Sequence, residues 1–545
     1  MKPASRRSFH VDPAARGCAL AAALLVAGCA VGPDFHAPDA PATQHYTRGE
    51  PPVTTAATAA PTGDAQTFAS AAHTPRHWWT QFGSEPLNRL VDTAWHNSPT
   101  LAEARARLDE ARQNHAAEAG ATMLPKVDAS LSATREQVDT TAFGLPANVP
   151  SPGPFTLYDA SVSVSYVLDV FGGNRRALEA LRAQVDYQAY TLDAARLTLA
   201  GNVVATAILR ASLARQVALT RQLIDAQARQ LRIVEARFSA GGVSQADVHA
   251  QRALFAQTQA SLPALEARLA QAGHRLAILL GVAPSDAALP DLSLDALALP
   301  RTLPIALPST LARERPDIRA AEAMLHQASA NVGVATANLY PRLSISAGIG
   351  SERTRIADLV SGLNVWNVGV GLTQPLFHGG ELRAKKRAAE AAYEEAFASY
   401  RETVLEALQQ VADAMRAVEH DAAALQARDT AAQEAAASNR IAGARYAAGG
   451  ISTFDLLDAQ RQALQTALDR TRAQADRLAD TAALFQALAG SWTDGGRSDR
   501  MDDIGTGRML PSARWAPHER CTCQARHSSP SASGRCRPAT APEYT

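Results

Sequence analysis

The segment Arg237-Phe-Ser-Ala-Gly-Gly-Val-Ser-Gln-Ala-Asp247 returns 208 residues later as Arg445-Tyr-Ala-Ala-Gly-Gly-Ile-Ser-Thr-Phe-Asp455. In both, a glycine pair supplies the positive-φ position that stops a helix, and Ser244 or Ser452 is placed to cap the next one. Each segment therefore reads as a sharp reversal between two helices. Two other stretches recur in the same order. Phe171-Gly172-Gly173 returns as Phe377-His378-Gly379-Gly380, and Leu124-Pro125-Lys126 returns as Tyr340-Pro341-Arg342. A period above 200 residues is far too long for a solenoid, so the body is one domain written twice.

Each copy follows the same order. A helical stretch, near 86–121 or 309–338, is broken by Pro125 or Pro341. Alternating segments follow. Val162, Val164, Tyr166 and Leu168 alternate with serines, Leu343, Ile345, Ala347 and Ile349 with Ser and Gly, and Trp366, Val368, Val370 and Leu372 with Asn, Gly and Thr. Residues 126–134 carry the weakest of the four patterns. This is the strand period, one face apolar and the other small and polar. Pro125, Gly172, Gly173, Pro341, Pro375, Gly379 and Gly380 mark the junctions between strands and helices. A long helical run comes next, 68 residues from Gly173 to Gly241 and 69 from Gly380 to Gly449, or about 100 Å at 1.5 Å per residue. In the second copy Tyr393, Phe397, Tyr400, Val404, Leu408, Val411, Met415, Val418, Ala422 and Leu425 form a sustained seam of threes and fours. Returning helices end near Leu280 and Leu488. The fold class is mainly α with a small β part, a strand pair joined to a very long helical hairpin and then duplicated.

Composition narrows the function. Lys plus Arg and Asp plus Glu are 53 each over 545 residues, so no net charge grips nucleic acid. Aromatics are 5% and charged residues 19%, which suits closely packed helices. The five cysteines are Cys18, Cys29, Cys521, Cys523 and Cys536. None lies in the body, so no disulfide framework or cysteine-ligated metal is expected there. The histidines lack metal-ligand spacing, and no Gly-x-Ser-x-Gly, His-Glu-x-x-His or phosphate loop occurs, so neither cofactor nor catalysis is expected. Lys2, Arg6, Arg7 and Arg16 precede a short apolar run ending in Val26-Ala27-Gly28-Cys29. That is an export signal with a lipoprotein cleavage site, by either the general or the twin-arginine route, and Cys29 is the expected point of lipid attachment. The expected organisation is a signal over 1–28, a Pro/Ala/Thr-rich tether over 29–75, repeats over 76–300 and 301–492, and a disordered tail over 493–545.

Four short amphipathic strands are too few to close a barrel in a membrane, where the smallest have about eight. An open sheet would leave unpaired backbone in hydrocarbon at several kcal/mol per group. Several chains sharing one barrel would remove both problems, with the helices continuing below it as a tube. The alternation alone also allows a soluble sheet packed on helices.

The chain resembles the TolC-like outer-membrane efflux proteins, in particular the lipoprotein outer-membrane factors of the NodT and OprM type. The resemblance rests on Trp78-Trp79-Thr-Gln-Phe82-Gly83, Asn97-Ser-Pro99, Leu168-Asp169-Val-Phe171-Gly172, Arg315-Pro316-Asp317-Ile318, Leu339-Tyr340-Pro341, Gln374-Pro375-Leu376-Phe377 and Asp455-Leu456-Leu457-Asp458-Ala459-Gln460, over about residues 30–492. It implies a homotrimer with a 12-stranded barrel in outer-membrane lipid and a periplasmic helical tunnel. Its partners would be a periplasmic adaptor (membrane fusion) protein and an inner-membrane transporter of the resistance-nodulation-division (RND) type. The implied cargo is drugs, toxic small molecules or metal ions. The exit duct of a type I protein-secretion system and a non-conducting lipid-anchored coiled-coil scaffold are the alternatives. By position in the family pattern, Arg237, Gly241, Gly242 and Asp247, with Arg445, Gly449, Gly450 and Asp455, form the periplasmic tips that meet the adaptor. Arg232, Glu235, Glu434 and Arg440 are placed to act in the gate. No acidic residue lies between Glu434 and Asp455, a departure from an acidic ring at the second tip.

Overall fold

The computed structural model describes residues 30–489 except 50–52, 71–72, 140–143, 145, 147–149 and 151–152. Cys29, the export segment and the tail lie outside the described residues. The elements in chain order are β1 (Thr67–Ser70), a 3-10 turn (Trp78–Phe82), α1 (Glu85–Asn97), α2 (Pro99–Met123), β2 (Lys126–Glu136) and β3 (Phe155–Leu168). There follow α3 (Gly173–Ser239), α4 (Gln245–Leu279), β4 (Thr302–Ile305), α5 (Pro308–Glu314) and α6 (Pro316–Ala337). The chain continues through β5 (Arg342–Arg353), β6 (Val365–Thr373), α7 (Glu381–Ala447) and α8 (Thr453–Leu488).

Both copies run helix, strand, strand-bearing junction, long helix, return helix, and α3 and α7 have the same length, 67 residues. The helical stretch that opens each copy is broken once more than its periodicity indicates. Ser98 and Arg315 take extended backbone (ψ 123° and 128°) because each precedes a proline whose ring excludes the helical region. The glycines at the strand–helix junctions work as backbone hinges. Gly172 and Gly380, at φ 76° and 86°, stand immediately before α3 and α7. Having no side chain to cap α3, Gly172 leaves that task to Asp169, whose carboxylate accepts from the amides of Asn174 and Arg175 at 2.9 and 2.8 Å.

The strands β2, β3, β5 and β6 form one antiparallel sheet in that order. The two central strands come from different copies and pair from Tyr158 opposite Arg353 to Leu168 opposite Leu343. In the helical body, α3 packs on α2, α4, α6 and α8, and α7 packs on α6 and α8. The seam of α7 is buried at Tyr400, Val404, Val411, Met415, Val418, Ala422 and Leu425. One 18-residue window of α3 is apolar enough to cross a membrane, yet 67% of it is buried within the fold, as befits a core helix. The Trp78-Trp79-Thr-Gln-Phe82 turn inserts its aromatics here, with the Trp78 ring stacked on Phe485 at 6.0 Å and Trp79 edge-on to Trp95 at 4.9 Å.

The segment read as an extended tether is fastened to the body at several of its described residues. β1 pairs in parallel with β4, two short strands whose patterns are too brief to register as periodicity. The Thr58 hydroxyl donates to the buried Asp429 carboxylate at 2.7 Å, and Gln474 donates to the Pro61 carbonyl at 3.1 Å. The buried Arg477 guanidinium donates to the Thr62 and Asp64 carbonyls at 3.1 and 2.7 Å, and to the Thr55 hydroxyl at 3.1 Å. This strap thus crosses α7 and α8 and ties the start of the chain to its last two helices.

Candidate functional site: a two-faced wall and a pair of tips

The register puts most of the apolar side chains of the sheet on one face, with Phe155, Leu157, Val167 and Val365 as exceptions. Val127, Ala129, Leu131 and Ala133 stand on β2, opposite Val164, Val162, Ala160 and Tyr158. Ala347, Ile349 and Ile345 continue the row on β5, opposite Val368, Trp366 and Val370 on β6. The other face carries Ser130, Ser132, Ser161, Ser163, Ser346, Gly348, Asn367, Gly369 and Gly371. Among the described residues the apolar face is left open: Leu131 is 75% exposed and Trp366 is 78% exposed. Leaving such a face in water would cost about 1.5–3 kcal/mol per large side chain, whereas hydrocarbon accepts it. The opposite face is small and polar, as befits a wall against water. The sheet ends at two open edges, β2 and β6. Lipid does not tolerate unpaired backbone, so the wall is incomplete in a single chain.

The two reversals are built alike. At the end of α3, Gly242 donates its amide to the Arg237 carbonyl at 2.8 Å and Gly241, at φ 75°, to the Phe238 carbonyl at 2.9 Å. Gly450 and Gly449 repeat this with Arg445 and Tyr446 at 2.8 and 3.0 Å. Ser244 then starts α4 in a capping box: the Asp247 amide donates to its hydroxyl at 3.2 Å, and its own amide donates to the Asp247 carboxylate at 3.0 Å. Ser452 and Asp455 do the same for α8 at 3.2 and 3.1 Å. The Ser244 and Ser452 hydroxyls, each donating to its aspartate at 2.7 Å, and then the serine amides hold the Asp247 and Asp455 carboxyls below their ordinary range.

The tips meet each other. The Arg237 guanidinium lies over the Tyr446 ring at 4.8 Å, and Thr453 also reaches the Asp247 carboxylate. Tyr446 was not singled out by sequence reasoning; only its place opposite Phe238 in the repeat could have flagged it. Beside the second tip, Phe454 points into solvent and Ile441 is likewise exposed. Of the four gate candidates, Glu235 is engaged within the chain, accepting from Arg252 at 2.7 Å across the α3–α4 hairpin. Arg232, one turn before Glu235 on α3, and Glu434 and Arg440 on α7 are exposed. No cluster of three or more metal-ligating side chains occurs among the described residues.

A second polar cluster sits where α7 faces α8. Burial, with the neighbouring Asp480 and Asp476 carboxylates, pushes Asp421 up to about 7, and Arg477 offsets part of this. Asp476 is also raised, first by burial and then by Asp480.

A sheet with a lipid-facing side, a water-facing side and open edges, carried on two long helical hairpins, defines a membrane channel wall assembled from more than one chain. The chain belongs to the outer membrane efflux protein family, whose model matches it twice, over residues 90–282 and 307–490. It is 34% identical over 426 residues to the pyoverdine export outer membrane protein OpmQ of Pseudomonas putida, covering 76% of this chain and 88% of that one. It is 29% identical to the solvent efflux pump outer membrane protein SrpC of Pseudomonas putida, over 87% of this chain and 97% of that one. The solved outer-membrane channel OprN superposes with a TM-score of 0.75 at 29% identity, over 85% of this chain and all of that one. The protein is an outer-membrane efflux channel whose helices extend into the periplasm of a Gram-negative cell.

Proposed function

We propose that three copies close a 12-stranded barrel and form the exit duct of a tripartite pump. A periplasmic adaptor meets the tips, and an inner-membrane RND transporter supplies the energy. The observation that carries this reading is the four-stranded sheet with one largely apolar face and both edges open. Four strands per copy require more than one copy to reach the about eight or more of known barrels, and the family supports three. The duct does no chemistry; its wall offers Ser, Gly, Asn and Thr to whatever passes. Cargo is drugs, toxic small molecules or metal ions, chosen by the transporter.

Cys29 carries the lipid, residues 76–300 and 301–492 act as the two repeats, and 493–545 is dispensable. Arg237, Gly241, Gly242 and Asp247 with Arg445, Gly449, Gly450 and Asp455 present the adaptor with two rigid reversals. Arg232, Glu434 and Arg440, exposed on α3 and α7, are available to neighbouring helices in the gate. Purified protein should give a trimer by native mass measurement and stable current steps in planar bilayers. A monomer that carries no current would overturn the proposal in favour of a scaffold.

A further inference from the structure

The far end of the sheet carries charge in a pattern that a channel wall does not by itself require. The strands join the helical body at Lys126, Leu168, Arg342 and Thr373, so Glu136, Phe155, Arg353 and Val365 lie at the other end. On the apolar face of β3, Tyr158 and Tyr166 stand eight residues apart with Ala160, Val162 and Val164 between them. That is about 26 Å of strand, or about 20 Å of depth at the usual tilt, close to the apolar band of known barrels and its aromatic borders. Tyr158 therefore marks the border of the hydrocarbon away from the helices. Arg353 on β5 lies directly opposite Tyr158. Arg135 on β2, opposite Thr156, flanks β3 from its other side on the same face. Ladder spacings put the two arginine Cα atoms about 12 Å apart, so both guanidinium groups can converge over β3.

The register keeps these arginines away from carboxylates. Glu136, Asp159 and Glu352, the acids of this end, stand on the opposite face of the sheet. The sheet's remaining basic residues, Lys126 and Arg342, stand on that opposite face too, at the helix end. Arg353 donates to the Ser361 hydroxyl and to the Glu352 and Gly362 carbonyls at 3.4, 3.3 and 3.4 Å, three neutral oxygens at long range. The β5–β6 turn is clasped by Asn364, whose side chain accepts from the Glu352 amide at 2.8 Å and donates to the Glu352 carbonyl at 3.1 Å. This ordered turn still presents Arg355, Ile356, Val360 and Leu363 outward, Val360 at 93% exposure. Arginine beside exposed aliphatic side chains, continuous with a lipid-facing band, suits the surface of a membrane.

We propose that Arg135 and Arg353, with Arg355, bind the phosphate groups of outer-leaflet lipid, while Ile356, Val360 and Leu363 settle among the first carbons of its acyl chains. The ligand is a phosphorylated glycolipid of the lipid A type, one site to each copy. The proposal rests on the channel reading, which puts this end outside the cell. A phosphate supplies the anionic oxygens that the sheet turns away from these guanidinium forks, and its acyl chains continue over Tyr158 onto the apolar band.

Native mass spectrometry of the full-length trimer tests it, with diphosphoryl lipid A, the same lipid dephosphorylated, and inorganic phosphate as probes. The wild type should retain diphosphoryl lipid A, and R135Q with R353Q should weaken that binding by about tenfold or more. R135K with R353K should restore part of it, and K126Q, on the other face at the other end, should leave it unchanged. Equal binding by the wild type and the double glutamine variant would overturn the proposal. Equal binding of the dephosphorylated lipid would remove the phosphate from it, and displacement by inorganic phosphate at equal concentration would make the site one for free anions. Both results count against it. A nitroxide on V360C, with Cys521, Cys523 and Cys536 changed to Ser, gives a readout that leaves the arginines in place. In vesicles containing diphosphoryl lipid A it should relax faster with dissolved oxygen than with an aqueous nickel chelate, and the reverse order would lift the turn out of the membrane and refute the proposal. A conducting trimer that ignores lipid A would sink this site and leave the channel standing, whereas a monomer without current would remove both.

Discussion

At the scale of single residues, the described fold depends on a few buried polar groups that no periodicity reveals. Arg477 is fully buried and supplies donors to two strap carbonyls and a strap hydroxyl. Arg477→Met should leave those acceptors unpaired and lower stability by about 3 kcal/mol, read as a lower melting temperature of the detergent-purified protein. Asp421 makes a pH prediction. Its carboxyl, pushed up to about 7, holds a proton in the fold that the unfolded chain has released above its ordinary carboxylate range. Between about pH 4 and 7 the folded state therefore binds more protons, and this contribution to stability falls as pH rises, disappearing above 7. Asp421→Asn should flatten that slope and raise the melting temperature at pH 8. An unchanged difference between pH 5 and pH 8 would remove Asp421 as its source. The tip glycines act through backbone alone: Gly449 is at φ 76° and an added Cβ there would meet nothing within 4 Å, so Gly449→Val is opposed by conformation, at about 1–2 kcal/mol, and not by a clash. With Gly450→Val added, adaptor pull-down should fail while trimers still form in the membrane.

At the scale of elements, the sheet separates two kinds of substitution. Val370→Arg places a charge on the lipid face and should cost about 2–4 kcal/mol near mid-membrane, read as loss of the protein from the outer-membrane fraction. Ser132→Arg projects to the other face and should leave insertion intact while shifting single-channel conductance and ion selectivity. Equal effects from both would contradict the assignment of faces. The strands and the long helices were legible because each obeys one period over many residues, two for the strands and three or four for the seam of α7. The weakest sequence pattern, at 126–134, became the full-length strand β2, since pairing with β3 supplies what its own alternation lacks. β1 and β4 escaped notice because four residues each carry too little periodicity, and their pairing joins positions more than 230 residues apart.

At the scale of the whole molecule, the duplication explains which surfaces are finished and which are open. The β3–β5 join and the α3–α6 packing complete one seam between repeats, and the free edges β2 and β6 await the other. Sequence alone determined the repeat, the reversals and the two-faced strands, because these follow from local backbone chemistry and from spacing along the chain. Tertiary structure decided which of the repeated contacts are made, where the strap crosses α7 and α8, which tip residue lies over which, and that Asp421 sits among carboxylates. Those depend on distances between residues hundreds of positions apart, which no local pattern encodes.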